Sequence, residues 1–272
     1  MKTFFTALFL FNLMLTPVQA QEDAWSYTND DLHPGEEVPI NKEERQEELN
    51  PSQAADENDP WESFNRGVFW FNDTMDGFLF DRISEMYKGV VPEFVRQRVG
   101  YALRNLSEPI VIANNLLQGE VEDAGDTLGR FLINSTVGVA GLFDVSTDLG
   151  FPYKKEDFGL TLASWGVGPG PYLVLPILGP SSLRDTFGRI GDYGLDPINW
   201  WAYLDDKAFY SNIRTGVQIL DAKTDNLELI ADLKKNAVDY YASIRAWYQL
   251  RRKDLATKER QALDTPRPDE ED

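Results

Sequence analysis

GLTLASWGVGPGPYLVLPILGPSSLRD, residues 159–185, is the stretch that decides how the chain can fold. Its second half interleaves glycines with prolines, from Gly166 to Pro180. Each interior proline removes a hydrogen-bond donor, which disfavours both a continuous helix and a central strand. Because the stretch is also too apolar for an exposed loop, it predicts irregular backbone that is buried in protein or at a lipid boundary.

Helical patterns lie on both sides of this stretch. Apolar residues recur every three or four positions from Phe64 to Leu79. Proline suits the first position of a helix, so Pro92, Pro109 and Pro197 each predict a helix start.

The segment from Asp225 to about Leu263 predicts one long helix. Asp225 and Glu228 form a capping-box pattern, and the helical period then continues to about Leu263. An alternating apolar–polar pattern of any length is absent from the sequence, so no strand is predicted. We therefore predict an all-α fold whose amphipathic helices are joined by irregular connections rich in glycine and proline.

Charge and composition exclude several classes of function. The chain has 26 basic and 45 acidic residues and a formal net charge of −19, which argues against a nucleic-acid partner. It has no cysteine, so a disulfide, a thiolate zinc site, a cysteine nucleophile and lipidation of an N-terminal cysteine are all excluded. The single histidine, His33, lies in an acidic stretch. A Ser-His-Asp triad or a multi-histidine metal site is therefore not expected, and we assign no residue to catalysis, to a metal or to a cofactor.

Four segments are predicted. Residues 1–20 have the basic start, apolar run and small-x-small ending of a cleaved secretory signal peptide. Residues 21–58 form an acidic leader with a disordered composition, residues 59–262 the helical domain, and residues 263–272 an acidic tail. No later segment reaches the ~20 apolar residues of a spanning helix, which predicts an exported protein that does not cross the membrane.

Two groups of residues allow alternative interpretations. Polar side chains such as Asn72 and Asn134 interrupt apolar segments, and they predict either hydrogen bonds between helices or the polar lining of a path for an amphiphile. The aromatic residues Trp200, Trp201 and Tyr203 predict either a core cluster or a belt at the membrane interface.

Several segments together resemble a known family. They are DPWESFNRGVFWFN (59–72), NNLLQGE (114–120), GRFLINSTVGVAGLFDV (129–145), EDFGLTLASWGVGPGPYLVLPILGPSSLRD (156–185) and DP (196–197). In this order they resemble the MlaA (VacJ) family, over roughly residues 59 to 250.

The resemblance implies a ring-shaped, all-helical protein without enzymatic activity, embedded in the inner leaflet of the Gram-negative outer membrane. Its amphipathic channel removes mislocalised phospholipids from the outer leaflet. It passes them to a periplasmic carrier, MlaC, for retrograde transport, and it associates with trimeric porins. This activity maintains the lipid asymmetry of the outer membrane.

The resemblance also assigns expected roles to residues of this chain. One set is expected near the lipid channel or its access hairpin: Phe69, Trp70, Phe71, Asn72, Asn134, Ser135, Thr136, Gly138 and Gly141. A second set is expected at the membrane interface: Trp165, Tyr172, Trp200, Trp201 and Tyr203.

One feature departs from the family pattern. Many members are lipoproteins with a cysteine directly after the signal peptide, whereas this chain has Gln21 there and no cysteine anywhere. An apolar rim and a porin are then expected to secure membrane attachment. Two alternatives remain: a porin-associated scaffold that moves no lipid, and a soluble periplasmic hydrolase.

Overall fold

The computed structural model describes residues 59–225 and 227–264. The predicted signal peptide, the acidic leader and residues 265–272 lie outside the described residues. Within them, the all-α prediction is confirmed, because helices account for nearly all of the regular structure.

The α-helices are α1 (Glu62–Met75), α2 (Asp81–Val90), α3 (Glu93–Gln118), α4 (Val121–Thr136), α5 (Val145–Asp148), α6 (Phe158–Ser164), α7 (Leu183–Leu195), α8 (Pro197–Leu204), α9 (Ala208–Asp225), α10 (Leu227–Asn236) and α11 (Tyr240–Asp264). A π-helical turn, Asp76–Phe80, joins α1 directly to α2.

The prediction that the chain has no strand is wrong. Strands β1 (Tyr172–Leu175) and β2 (Gly179–Ser182) form an antiparallel hairpin within the Gly/Pro-rich stretch, with Tyr172 opposite Ser182. Each strand has four residues, which is too short to establish an alternating pattern. Pro180 is accommodated because the sheet has only two strands, so β2 is an edge.

Two predicted helix boundaries are also wrong. Helix α3 continues through Pro109, which was expected to begin a separate helix. The long C-terminal helix is interrupted between Asn236 and Tyr240, where the Asp239 side chain accepts a hydrogen bond from the Ala242 amide at 3.1 Å and so caps α11.

Other helix ends follow from local chemistry. Asp196 caps α8 by accepting from the Ile198 amide at 2.9 Å, with Pro197 at the start of the helix. Ser182 caps α7 by accepting from the Asp185 amide at 3.1 Å. Gly119 ends α3 in the left-handed conformation, with φ of 89°.

Packing contacts between the elements close into a circuit. From α1 they pass through the π-helical turn to α2, then to α9, α3, α6, α11, β2 and β1, and from β1 back to α1. Helix α3 is central, because it also packs against α4 and α7. None of the described helices has the length and apolar character that crossing a membrane would require.

Candidate functional site

Helix α7 has the reverse of the polarity expected for a helix in water. All four of its charged residues are buried: Arg184, Asp185, Arg189 and Asp192. Its exposed face carries Leu183, Phe187 and Ile190, and Phe187 is 59% exposed. An amphipathic helix of a water-soluble protein turns its apolar stripe inward. Helix α7 therefore has the polarity of a helix whose outer face meets an apolar surrounding.

The same inversion recurs on other helices. Helices α3, α4 and α9 bury polar residues and expose apolar ones, and α8 presents a largely aromatic outer face. The buried polar residues are Asn105, Glu108, Asn114 and Asn115 on α3, Thr127, Arg130 and Asn134 on α4, and Ser211, Thr215 and Gln218 on α9. The exposed residues are Leu106, Leu116 and Leu117 on α3, Val121, Leu128 and Leu132 on α4, Trp200, Trp201, Tyr203 and Leu204 on α8, and Phe209, Tyr210 and Ile213 on α9. Apolar patches this extensive mark interaction with a membrane or with other proteins.

A buried ion cluster holds α6, α7 and α11 together. Arg252 of α11 donates to both carboxylate oxygens of Asp157 at 2.6 and 3.0 Å, and to both oxygens of Asp185 at 2.9 and 3.0 Å. Tyr248 also donates to Asp185, at 2.5 Å. Burial alone would raise the pKa of Asp185, but the charges of Arg252 and Arg184 hold it well below its usual range. The cluster therefore ties the start of α6 and the start of α7 to α11 through buried, paired charges.

Asp192 stands beside this cluster, and among the described residues it has no cationic partner at hydrogen-bond distance. Its Oδ1 atom accepts from the Asn114 side chain and from the Phe158 amide, both at 2.9 Å. Burial, followed by the charge of Asp157, raises the pKa of Asp192 from 3.8 to about 8. The carboxyl group is therefore mainly protonated at neutral pH.

Two asparagines of α1 hold the β-hairpin. Asn65 donates to the Tyr172 carbonyl at 3.0 Å and accepts from the Val174 amide at 2.9 Å. Asn72 donates to the Leu175 carbonyl at 2.8 Å and accepts from the Ile177 amide at 2.7 Å. The two side chains occupy the free edge of β1 as a neighbouring strand would.

An open cleft of about 450 Å³, a volume that includes solvent at its mouth, lies between α1, the hairpin, α9, α10 and α11. Its apolar walls include Phe69, Ile177, Pro180, Ile230 and Ile244. Its polar residues include Asn72, Asp73, Asp76 and Lys223. The cleft thus combines an apolar wall with a charged side, which is the arrangement that an amphiphile requires.

The predicted channel residues of α1 divide into two groups. Phe69 and Asn72 line the cleft, and Phe69 also packs edge-to-face on Tyr241 with ring centroids 5.4 Å apart. Trp70 and Phe71 are exposed on the outer side of the helix.

The predicted access hairpin is a tight loop at the end of α4. Asn134 donates to Asp144 at 3.0 Å and to the Ser146 hydroxyl at 2.8 Å, so it ties α4 to the start of α5. Asn105 of α3 donates to the Ser135 hydroxyl at 2.9 Å. Thr136 donates to the backbone of its own helix at 2.6 Å. These contacts join the loop to α3 and α5, while the cleft is lined by other elements.

Two positions of this loop, Gly138 and Gly141, have no room for a side chain. A Cβ atom on Gly138 would lie 2.3 Å from the Phe143 carbonyl oxygen, and one on Gly141 would lie 2.5 Å from the Asn105 side chain. Between them, Val139 and Ala140 adopt left-handed backbone, with φ of 54° and 58°. Successive non-glycine residues in that region are uncommon, so the loop stores strain.

Four of the five predicted interface residues are exposed, and one is not. Trp165, Trp200, Trp201 and Tyr203 lie at the surface, and the Trp200 and Trp165 indole nitrogens donate to backbone carbonyls. Tyr172 is only 1% exposed and packs between Tyr241 and Tyr248. Its assignment to the interface is wrong, because β1 turns this ring towards α11 and into the core.

The comparison with protein families identifies the chain. Residues 57–255, most of its length, match the family described as MlaA lipoprotein. The chain belongs to this family.

Individual relatives of the family agree with this result. A protein of Rickettsia felis described as uncharacterized is 36% identical over 192 residues, covering 69% of this chain and 74% of the relative. The intermembrane phospholipid transport system lipoprotein MlaA of Haemophilus influenzae is 31% identical over 202 residues, covering 72% of this chain and 79% of that protein. The protein of the same name from Escherichia coli K12 is 30% identical over 196 residues, covering 70% and 75%.

A solved structure also matches. It is described as the structural basis for maintenance of bacterial outer membrane lipid asymmetry. The match has a TM-score of 0.65 and 29% sequence identity, and it covers 74% of this chain and 100% of that one. The MlaA-type helical fold therefore extends over most of the described residues.

Sequence reasoning missed several residues that organise this MlaA-family fold. The sequence carries no pattern that marks Arg252 for the ion cluster, or Asp73, Asp76 and Lys223 for the cleft. Their partners lie far away along the chain: Arg252 is 67 residues from Asp185 and Lys223 is 147 residues from Asp76. A single sequence offers no local signal for pairs at that separation.

Proposed function

We propose that this protein is the outer-membrane component of a phospholipid-transport system. It lies in the inner leaflet of the outer membrane and removes phospholipids mislocalised to the outer leaflet through an amphipathic channel. It then passes them to an MlaC-like periplasmic carrier for retrograde transport, which maintains lipid asymmetry. The protein acts by binding and guiding lipid, without catalysis.

The inverted polarity of the helices carries this proposal. Helix α7 buries two arginines and two aspartates while its exposed face presents Leu183, Phe187 and Ile190. Exposing such a face to water costs about 25 cal/mol for each Å² of apolar surface, a cost that a lipid surrounding removes. Since none of the described helices could span a bilayer, lateral embedding in one leaflet accounts for these faces.

The exposed aromatic residues support a defined depth in that leaflet. Trp200 and Trp201 on α8 adjoin the turn that contains Lys207, whose ammonium group lies 4.8 Å from the centre of the Trp201 ring. Tryptophan and lysine together favour the headgroup level of a membrane. We infer that α8 and the start of α9 mark the boundary between acyl chains and headgroups.

The lipid path and the partners belong to the same proposal. The cleft beside Phe69 and Asn72 supplies a polar side for the headgroup and an apolar wall for the chains. The loop from Asn134 to Gly141, which packs against α3 and α5 and does not line this cleft, would control access elsewhere along the path, and its strained backbone at Val139 and Ala140 is of the kind found at switch regions. A trimeric porin would cover part of the apolar surface and anchor a chain that lacks a lipidated cysteine.

One experiment tests embedding and transport together. The gene is deleted, the deletion is complemented with the wild type or with the double variant Phe187→Asp/Ile190→Asp, and surface-exposed phospholipid is measured with membrane fractionation in parallel. We expect deletion to raise outer-leaflet phospholipid, the wild type to restore it, and the double variant to fail and to leave the membrane fraction. Lys253→Asp is the matched control, because it introduces an acid at a position that is already exposed and polar.

The outcomes separate the alternatives. Recovery of the wild type in the soluble periplasm would refute embedding and favour a soluble enzyme. Firm membrane attachment with unchanged surface phospholipid after deletion would refute transport and favour a scaffold on porins.

A further inference from the structure

The charged side of the cleft is built from two adjacent ion pairs. Asp73 and Asp76 lie three residues apart at the end of α1 and both line the cleft. Asp73 pairs with Lys234 of α10 at 2.6 Å, and Asp76 pairs with Lys223 of α9. Asp73 at the end of α1, Asp76 at the start of the π-helical turn and Lys223 of α9 therefore meet at this edge of the cleft, with Lys234 paired to Asp73 beside it.

The local balance of charge is acidic. Besides Asp73 and Asp76, the carboxylate of Asp81 acts on the pKa of Asp76 and on that of Tyr240 at the cleft. Burial, more than any other cause, raises the pKa of Asp76, which the charge and hydrogen bond of Lys223 oppose. Asp81 is thus a third carboxylate, whose charge reaches the ion pair of Asp76 with Lys223.

The backbone is irregular at the same place. The π-helical turn begins at Asp76 and ends at Phe80. A π-helical turn is less favourable than α-helix and occurs mostly at functional sites. Here it changes the direction of side chains just after Asp76, while the ammonium group of Lys223 lies 4.9 Å from the centre of the Phe80 ring. The ion pairs, the apolar cleft and the π-helical turn are three separate observations at one site.

We propose that this cleft selects phospholipids whose headgroup carries a primary ammonium group beside the phosphate, over headgroups with a net negative charge. The inference rests on the proposed function and names the lipid class that the path accepts. Asp73 and Asp76 bind the ammonium group, Lys223 and Lys234 turn to the phosphate, and the walls formed by Phe69, Ile177 and Ile230 hold the adjoining carbon atoms.

Charge complementarity gives the preference its direction. A zwitterionic headgroup supplies a cation to the acids and an anion to the lysines. The aspartates then pair with the ammonium group of the lipid, and the lysines pair with its phosphate. An anionic headgroup satisfies the lysines but leaves the two aspartates facing added negative charge, with Asp81 nearby. Such unpaired like charge is a means by which a site rejects the wrong ligand.

The test is lipid occupancy of the purified full-length protein. The protein in detergent is incubated with mixed vesicles of equal phosphatidylethanolamine and phosphatidylglycerol with matched acyl chains, and bound lipid is quantified by native mass spectrometry. We expect the wild type to hold about fivefold more phosphatidylethanolamine, as one moderately screened ion pair allows. The double variant Asp73→Asn/Asp76→Asn is expected to hold the two lipids nearly equally.

The control removes the same number of charges elsewhere. Glu122→Gln/Asp126→Asn on α4 changes two exposed acids, so its net charge equals that of the test variant and its preference should stay at the wild-type level. Repeating the wild-type measurement in high salt gives a second readout that does not depend on how the variant folds, and the preference should fall there because the pairing is electrostatic.

Each failure has a distinct meaning. Equal occupancy by both lipids in the wild type, or a preference that persists in the test variant or in high salt, would overturn the headgroup assignment alone. Absence of both lipids from the wild-type protein would instead contradict the proposed transport function.

Discussion

Asn65 and Asn72 lie seven residues apart on one face of α1, and each pairs through both ends of its amide with the backbone of the β-hairpin. Between them they pair with two carbonyls and one amide of β1 and with the amide of Ile177 in the turn that follows. The Asn72 bond to the Ile177 amide also steadies a β-branched residue in left-handed backbone, with φ of 68°. The hairpin therefore depends on α1 for a stability that two four-residue strands could not reach alone.

This arrangement predicts the effect of Asn72→Asp. The carboxylate can still accept from the Ile177 amide but can no longer donate to the Leu175 carbonyl, so two acceptors face each other. We expect the free energy of unfolding to fall by about 1–3 kcal/mol, and amide hydrogen exchange of the hairpin to increase. Chemical denaturation and hydrogen-exchange mass spectrometry measure the two effects. Thr74→Ala, which removes an exposed hydroxyl bonded within α1, should change neither.

The ion cluster predicts that Arg252 cannot be replaced by lysine. Lysine carries a similar charge but lacks the planar set of donors with which Arg252 binds Asp157 and Asp185 together. Arg252→Met would leave two buried carboxylates without their shared cation, and we expect it to lower the free energy of unfolding by about 3–5 kcal/mol. The free energy of unfolding of Arg252→Lys should lie between that of Arg252→Met and that of the wild type.

Lys253→Ala provides the comparison for thermal unfolding of these variants. Lys253 is the next residue on α11 and is exposed, so its removal should shift the midpoint little. If Arg252→Met unfolded at the same temperature as Lys253→Ala, the cluster would contribute nothing to the stability of the fold.

Asp192 predicts an unusual dependence of stability on pH. Its pKa is raised in the folded protein to about 8 from 3.8, so the folded state binds the extra proton between those values. The contribution of Asp192 to the free energy of unfolding is therefore greatest below about pH 4, and it is lost as the pH rises towards 8. The pKa values of Asp157 and Asp185 are lowered, so these two groups have the opposite effect on the free energy of unfolding. Their stabilising contribution is lost as the pH falls into the acidic range.

Asp192→Asn isolates this contribution. The asparagine carbonyl oxygen can still accept from Asn114 and from the Phe158 amide, but it does not titrate. We expect the wild type to lose stability relative to this variant as the pH rises from 5 to 8, by denaturant unfolding at a series of pH values. A constant difference across that range would show that Asp192 keeps the same protonation state throughout it.

Local chemistry made part of this fold predictable. Asp196 with Pro197, Ser182 and Gly119 carry their signals in neighbouring residues, and each marks a helix end in the structure. The inner position of Pro109 was not predictable in this way, because propensity is a weak guide that the surrounding fold can override. The break before Tyr240 does have a local signal in Asp239, but the apolar period that continues across it predicts a single helix.

The site was less predictable than the helices. Apolar periodicity identifies the two faces of a helix but does not say which one is buried, and in α7 the charged face is inside. That choice depends on carboxylate–guanidinium pairs such as Asp185 of α7 with Arg252, which are 67 residues apart. Among the polar residues that interrupt apolar segments, Asn134 ties α4 to α5, whereas Asn72 bonds to the hairpin and also lines the cleft.

The glycines around the α4 loop yield the last prediction, because Gly141 and Gly125 should respond to alanine in opposite ways. Gly141 has φ of 84° and its Cβ would collide with Asn105, so Gly141→Ala combines backbone strain with a clash and should lower the free energy of unfolding by about 2–4 kcal/mol. Gly125 lies within α4 with open space around it, so Gly125→Ala should raise stability by up to about 1 kcal/mol. The midpoints of thermal unfolding of the two variants measure this difference. Similar midpoints would contradict the prediction, because they would mean that the loop readily moves away from Asn105. The strain at Val139 and Ala140 would then be released at little cost in free energy.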